Sequence, residues 1–242
     1  MIAITMDTDW APEAVVHEAA QYIRSAGCKV TAFCTGTYDV DVDELAIHPN
    51  FTELEDLNAP IEKLKALYPD AVGTRSHCLF YTERLRPLYS RHGLTYDSNA
   101  IQYQRRRIQP SLLGRDTLSL PVFFMDCFHL ELAENRSDCF STDWIDWDDT
   151  GLKIFDFHPV HILLNSHSVA HYEEAKQDYH NPERLARRAR DGAGVRSLLH
   201  DILEQISIRR LPTYTMREIN SNVRNLAEDG GNKNAPWLAA GT

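Results

Sequence analysis

The sequence predicts an α/β fold built on a mainly parallel sheet, either open or closed into a barrel. Two observations carry that expectation. Short apolar, β-branched segments alternate with amphipathic helical patterns, and unusual polar residues recur directly after the apolar segments. A third observation is length. The chain has 242 residues, enough to bury a sizeable core, and barrels of this size often form one domain.

Ile2-Ala3-Ile4-Thr5-Met6 is short, apolar and partly β-branched, and reads as a buried strand. Asp7-Thr8-Asp9-Trp10 follows its C-terminal end. Pro12 suits the first turn of a helix. Val15, Val16, Ala19, Ala20 and Ile23 then share one helical face, and Gly27 stops the pattern. Residues 29–35 form the second predicted strand. Residues 44–48 form a short third one, ending in His48-Pro49. A helix is predicted over 53–68, with Pro60 able to split it. Residues 71–77 read as a strand, 82–92 as a helix stopped by Gly93, and 94–97 as a strand. Residues 120–126, with Val122, Phe123, Phe124 and Met125, predict another strand, and 153–158, with Ile154, Phe155 and Phe157, one more. Leu198, Leu199, Ile202, Leu203 and Ile206 form the stripe of an amphipathic helix over 198–208. No internal repeat is visible. One domain over 1–227 is expected, followed by a loose tail over 228–242 that contains Gly230-Gly231.

Composition narrows the function. The hydrophobic share is 43% and the charged share 25%, which is ordinary for a globular protein. With 25 Lys+Arg against 35 Asp+Glu the formal charge is −10. That argues against a general nucleic-acid binder, which needs a cationic surface, but leaves room for a small anion held by local arginines. No apolar run approaches the roughly 20 residues of a membrane span. The start has no basic n-region and no cleavage site, so a cytoplasmic protein is expected. Five cysteines without a CxxC read as reduced thiols, mostly buried as small apolar groups. Arg184, Arg187, Arg188 and Arg190 lie within 181–194. They read as a solvated face, with a lid over an anionic substrate as the alternative.

The polar residues carry the functional signal. Asp7 and Asp9 end the first strand, His48 the third, Arg75 and His77 the 71–77 strand, Asp126 the 120–126 strand and His158 the 153–158 strand. In parallel α/β folds these ends lie on one face, where the active site sits. Singly, each has a plain structural reading. Asp7 and Asp9 could cap the helix near Pro12, His48 could be a loop histidine, and Arg75 a surface ion-pair partner. Together they point to a site. A carboxylate and imidazoles suit zinc or another divalent transition metal. In Asp-x-Asp one carboxylate can ligate while the other accepts a proton. An arginine beside the base keeps it ionised, and a histidine across the site can protonate a leaving amine.

Four blocks then resemble a known family: Thr5-Met6-Asp7-Thr8-Asp9-Trp10, Ile47-His48-Pro49-Asn50-Phe51, Gly73-Thr74-Arg75-Ser76-His77 and Asp156-Phe157-His158-Pro159-Val160-His161. They look like the polysaccharide deacetylases of the NodB-homology, carbohydrate esterase 4 group, and most of all like its WbmS-like branch, associated with bacterial O-antigen gene clusters. The resemblance runs in order from Ile2 to about Leu164. It implies a distorted (β/α) barrel of about seven strands and metal-dependent removal of acetyl groups from sugars. It puts the base on Asp7, a metal ligand on Asp9, a second on His48, the arginine that steadies the base on Arg75, a catalytic aspartate on Asp126 and the general acid on His158. The sequence departs from the family at Thr52, where a second metal-binding histidine is usual, and at His77, where proline is common. His77 is the favoured third ligand, because it stands two residues from Arg75 and so on the same side of an extended strand. His161 is the rival, and water could also complete the site. His167 and His171 are expected at the surface.

The expected function is hydrolytic deacetylation of an N-acetylated sugar or surface-polysaccharide precursor. The expected cofactor is a divalent metal, zinc first, with no nucleic-acid partner and no membrane span. Two alternatives stay open: a non-catalytic carbohydrate-binding or assembly protein with a degenerate site, and an amidase acting on a non-sugar C–N bond.

Overall fold

The computed structural model describes residues 1–52, 55–114, 116–133 and 139–228. Most of the expected tail, 229–242, lies outside the described residues. Strand β1 (Ile2–Asp7) is followed by α1 (Glu13–Ser25), β2 (Val30–Cys34), β3 (Glu44–Ile47), α2 (Asn58–Leu67) and β4 (Gly73–Thr74). Then come α3 (Arg86–Arg91), β5 (Tyr96–Asp97), β6 (Ser111–Leu112), β7 (Leu118–Ser119), β8 (Phe124–Met125), α4 (Asp126–Ala133) and β9 (Lys153–Phe157). Helices α5 (Pro159–Leu164), α6 (Val169–Ala175), α7 (Pro182–Ala186), α8 (Val195–Ile208) and α9 (Met216–Glu228) complete the order.

The strands form one curled sheet in the order β6-β7-β5-β4-β3-β2-β1-β9-β8. Every neighbouring pair is parallel except β6 with β7. All six residues of β1 are buried, as are all five of β2 and of β9. Helices and the sheet's own curl cover both faces, which is why these strands read as apolar runs rather than alternating ones.

Residues 120–126 are not one strand. Pro121 has no N–H to give a ladder, and the ladder breaks between β7 and β8. Those two strands lie far apart in the sheet, so the intervening chain crosses from one to the other. Leu120 N–H donates to Asp97 O of β5 (2.8 Å), and Phe123 N–H donates to Ile154 O of β9 (2.9 Å). The sheet thus curls until one short segment reaches both of its ends. Asp126 opens α4 instead of ending a strand.

Two helices differ in extent from the periodicity. Helix α2 begins at Asn58, because Asp56 Oδ1 accepts the Asn58 N–H (2.8 Å) and starts the turn there. Pro60 then falls in the first turn, where its missing N–H costs nothing. In 82–92, Pro87 confines the α-helix to Arg86–Arg91, and residues 83–85 make a single 3₁₀ turn before it. Gly27 and Gly93 end their helices with φ of +77° and +66°, a conformation that favours glycine. Two of the five cysteines, Cys28 and Cys34, are buried; Cys78 is exposed. Of the arginines over 181–194, Arg188 and Arg184 turn to Asp178 (2.6 and 3.8 Å).

Candidate active site

Five strands deliver the candidate residues to one rim. Asp7 ends β1, and His48, Arg75, Asp126 and His158 follow β3, β4, β8 and β9. Alternation along the strands decides which side chains look inward. Thr5 and Asp7 share one face of β1. Thr5 lies beside Asp156 in the register of β9, and His158 follows two residues later.

Arg75 organises the interior and is fully buried. Its Nη1 donates to Asp7 Oδ1 (2.8 Å), to Thr5 Oγ1 (2.9 Å) and to Asp156. Nε donates to Ser98 O (3.3 Å) and Nη2 to Ser98 Oγ (3.0 Å). The Phe33 ring lies 4.2 Å from the guanidinium carbon. Burial opposes the arginine's charge, but Asp156 and Asp7 outweigh it and hold the group ionised.

Asp9 gathers three imidazoles. Its Oδ1 lies 3.1 Å from His48 Nε2 and 3.1 Å from His77 Nδ1, and its Oδ2 lies 3.4 Å from His158 Nε2. Burial would raise the Asp9 pKa, but hydrogen bonding to His158, His48 and His77 outweighs it and drives the carboxyl far below the usual range. The side chains of Asp7 and Asp9 do not cap α1, whose N-cap is Pro12 without a side-chain hydrogen bond.

His158 is held from the other side. Asp126 Oδ1 pairs with His158 Nδ1 (2.6 Å), and Asp126 Oδ2 accepts the His158 backbone N–H (2.7 Å). Burial disfavours the imidazolium, yet Asp126 outweighs it and raises the His158 pKa well above the ordinary value. The same pairing lowers the Asp126 pKa against its own burial.

Asp9, His48 and His77 offer donor atoms that all lie within 4.8 Å of one another. The two 3.1 Å separations are close to the ~3.3 Å between neighbouring ligands of a tetrahedral zinc with bonds of about 2.0–2.1 Å. His48 Nδ1 is buried without a hydrogen-bond partner among the described residues, and it sits 3.8 Å from Asp7 Oδ1. At that distance the carboxylate is a neighbour and not a hydrogen-bond acceptor, while the ring's other nitrogen, Nε2, faces Asp9. The donor set therefore fits a divalent transition ion.

Thr52 does not reach this cluster; its hydroxyl donates to Asn50 Oδ1 (2.7 Å) at the surface. His161 lies with Asp126 and His158 rather than with Asp9 and His48. It bonds Ser166 Oγ through Nδ1 (2.9 Å), and burial pulls its pKa down to about 4. His171, expected at the surface, is buried with Nε2 on Arg188 O (2.9 Å), because the Asn181–Gly194 stretch packs over it. His167 is half-buried.

The reading of strand ends overlooked Asp156. Its clue is its place two residues before His158, on the same face of β9. Two loops at the rim also contain paired left-handed, non-glycine residues: Asp9-Trp10 (φ 41° and 59°) and Cys78-Leu79 (φ 55° and 51°). Such residues cost about 1–3 kcal/mol each and persist where surroundings hold them. Here Tyr179 Oη donates to Asp9 O (2.7 Å) and Trp10 N–H to Thr35 Oγ1 (3.0 Å). Beside His48 a cavity of about 260 Å³ opens past Trp10, Asn50, Lys63 and Leu64.

No helix among the described residues is long and apolar enough to cross a membrane. The chain is similar in structure to a Bordetella bronchiseptica protein assigned as a polysaccharide deacetylase involved in O-antigen biosynthesis. The TM-score is 0.76 at 26% identity, over 84% of this chain and 90% of that one. It also shares its fold with a protein from Mycobacterium smegmatis assigned as a polysaccharide deacetylase, with a TM-score of 0.52 at 14% identity, over 93% of this chain and 90% of that one. No curated protein matches the chain. The profile of the WbmS-like polysaccharide deacetylases matches residues 4–176, and the chain belongs to that family.

Proposed function

We propose that the protein is a metal-dependent hydrolase that removes the acetyl group from an N-acetylated sugar, a precursor of bacterial surface polysaccharide. One observation carries this reading. An arginine-held carboxylate, Asp7, and an aspartate-held imidazole, His158, lie close together beside the Asp9–His48–His77 donor cluster. A pure binding protein has no need of both a held base and a held acid. The O-antigen role of the Bordetella protein supports the substrate class.

Asp9, His48 and His77 would hold the ion, with zinc suited to one carboxylate and two imidazoles. The ion supplies Lewis acidity to the acetyl group when bound. Arg75 occupies Asp7 Oδ1, and no described residue donates to Oδ2. Asp7 therefore accepts the proton of the attacking water at Oδ2 while the water oxygen bonds to the acyl carbon. Asp126 occupies His158 Nδ1, so the proton available for transfer is on Nε2. His158 gives that proton to the nitrogen as the C–N bond breaks, and acetate and the free amine leave. Asp7 returns its proton to His158 through solvent.

Asp7→Asn tests the division of labour. Acetate release should fall about 10²-fold or more, as for loss of a positioned general base, while zinc content stays near one ion per chain. If acetate release is unchanged, Asp7 is not the base. If the variant loses its zinc while Asp9→Asn retains it, the two roles are exchanged. Binding of acetylated sugars by the wild type with no acetate released would favour the degenerate, non-catalytic reading.

A further inference from the structure

Asp156 is a buried group beside the site that this chemistry leaves unused. It is fully buried on β9 and pairs with Arg75 Nη1, the same nitrogen that donates to Asp7 Oδ1 at 2.8 Å. Thr5 Oγ1 accepts from that nitrogen at 2.9 Å and donates to Asp156 Oδ1 at 2.8 Å. Asp156 Oδ2 has no hydrogen-bond partner among the described residues. Asp7, Asp156 and His158 each offer an atom within 4.8 Å of the others. Two buried carboxylates thus face one guanidinium. One would balance the charge; the second adds a desolvation cost that charge balance does not require.

Its effect is geometric. Ser98 takes Nε and Nη2 at one edge of the guanidinium, and Phe33 lies against its face. Nη1 carries two hydrogens in the guanidinium plane. Asp7, Asp156 and Thr5 share these two hydrogens, and Thr5 is itself bonded to Asp156. Without Asp156, Asp7 shares Nη1 only with Thr5 Oγ1, whose own proton has no acceptor left but Phe155 O (3.1 Å).

We propose that Asp156 is a positioning residue for the deacetylation, acting through Arg75: it locks the guanidinium so that Nη1 stays on Asp7 Oδ1 and the other Asp7 oxygen faces the reacting water. The proposal rests on the reading of Asp7 as the base. Burial pushes the Asp156 carboxyl upward, and the Arg75 charge only partly offsets it. A neutral amide, which keeps the Oδ1 acceptor, is therefore a close mimic.

The test uses the full chain labelled with ¹⁵N-arginine, the Arg75 side-chain resonances being identified by their loss in Arg75→Lys. Acetate release from di-N-acetylchitobiose by the zinc-loaded protein is the second readout. Asp156→Leu should lose the slowly exchanging Arg75 signals and lower kcat about 10²-fold, with KM within about threefold. Asp156→Asn should keep the signals and stay within about fivefold of wild-type kcat. A folded Asp156→Leu with wild-type Arg75 signals overturns the proposal. If Asp156→Leu does not fold, Thr5→Val removes the donor to Asp156 at nearly constant volume. It should shift the Arg75 signals, and unchanged signals overturn the proposal. Absence of acetate release from the wild type counts against the proposed function, while the resonances still decide the role of Asp156.

Discussion

At the residue scale, the proposed third ligand is the sharpest test of how this site replaces the family's missing histidine. His77 follows Ser76, whose backbone is extended (φ −81°, ψ 143°). The Arg75 and His77 N–H groups donate to Ile47 O (3.1 Å) and Pro49 O (3.0 Å), so the two side chains emerge on the same side although the ladder proper ends at Thr74. Loss of an outer-shell partner alone costs metal affinity about 10–100-fold. His77→Ala should therefore weaken zinc binding by at least about 10²-fold in a calorimetric titration. His161→Ala and Thr52→Ala should bind as wild type. The reverse result for His161 would move the third ligand there. Asp97 offers a test by pH. Its carboxyl is buried, and burial pushes its pKa up to about 6 from an ordinary value near 3.8. Asn99 Nδ2 donates to Oδ2 (3.1 Å), and Oδ1 has no partner among the described residues. The folded protein then keeps a proton that the unfolded chain releases. Asp97 stabilises most fully below about pH 4, and that stability is lost as pH rises through about 6. A shift of about two units is worth about 3 kcal/mol. Asp97→Asn should gain stability relative to wild type by about that amount between pH 4 and pH 7, measured by urea unfolding. A difference that does not vary with pH would show that Asp97 ionises normally.

At the element scale, α8 has a cap that local sequence does not reveal. Its N-cap is Gly194, which has no side chain to accept from the first turn. Asn165 supplies the acceptor from the end of α5: its Oδ1 accepts the N–H groups of Arg196 (3.0 Å) and Ser197 (3.2 Å). Its Nδ2 donates to Arg190 O and Gly192 O, both at 2.9 Å. Asn165 is itself left-handed, with φ of 49°. A Cβ on Gly194 would lie 2.4 Å from Asn165 O, so glycine is what lets the two segments meet. Asn165→Ala removes a cap and the link to the exposed Arg190–Gly192 loop. It should destabilise by about 1–2 kcal/mol and lower Tm by about 2–8 °C in a thermal melt. A loss below about 0.5 kcal/mol would mean that water replaces the side chain.

At the scale of the whole molecule, the cluster joins loops from β1, β3 and β4, so an ion there would tie three parts of the chain to the native state alone. Zinc at about 100 times its Kd should stabilise by about 2.7 kcal/mol, a Tm rise of about 5–10 °C. Asp9→Ala should abolish the rise, and an equal rise in that variant would place the ion elsewhere. The sequence by itself determined the alternation of strands and helices, the apolar face of α1 and the polar residues after β1, β3, β4 and β9. Local pattern suffices there, because burial on both faces and a helical period are written in consecutive residues. It also marked His77 through its spacing from Arg75. Only the tertiary structure decided the rest. Pro121 splits an apolar run whose two ends lie far apart in the sheet, so its continuity in sequence misleads. His171 is polar yet buried, because a segment ten and more residues later covers it. Asp156 reads as a strand residue until β9 pairs with β1 and the curl brings Arg75 against both. Non-local pairing of charge is invisible in one chain's order, since what stabilises a buried carboxylate is the cation folded against it.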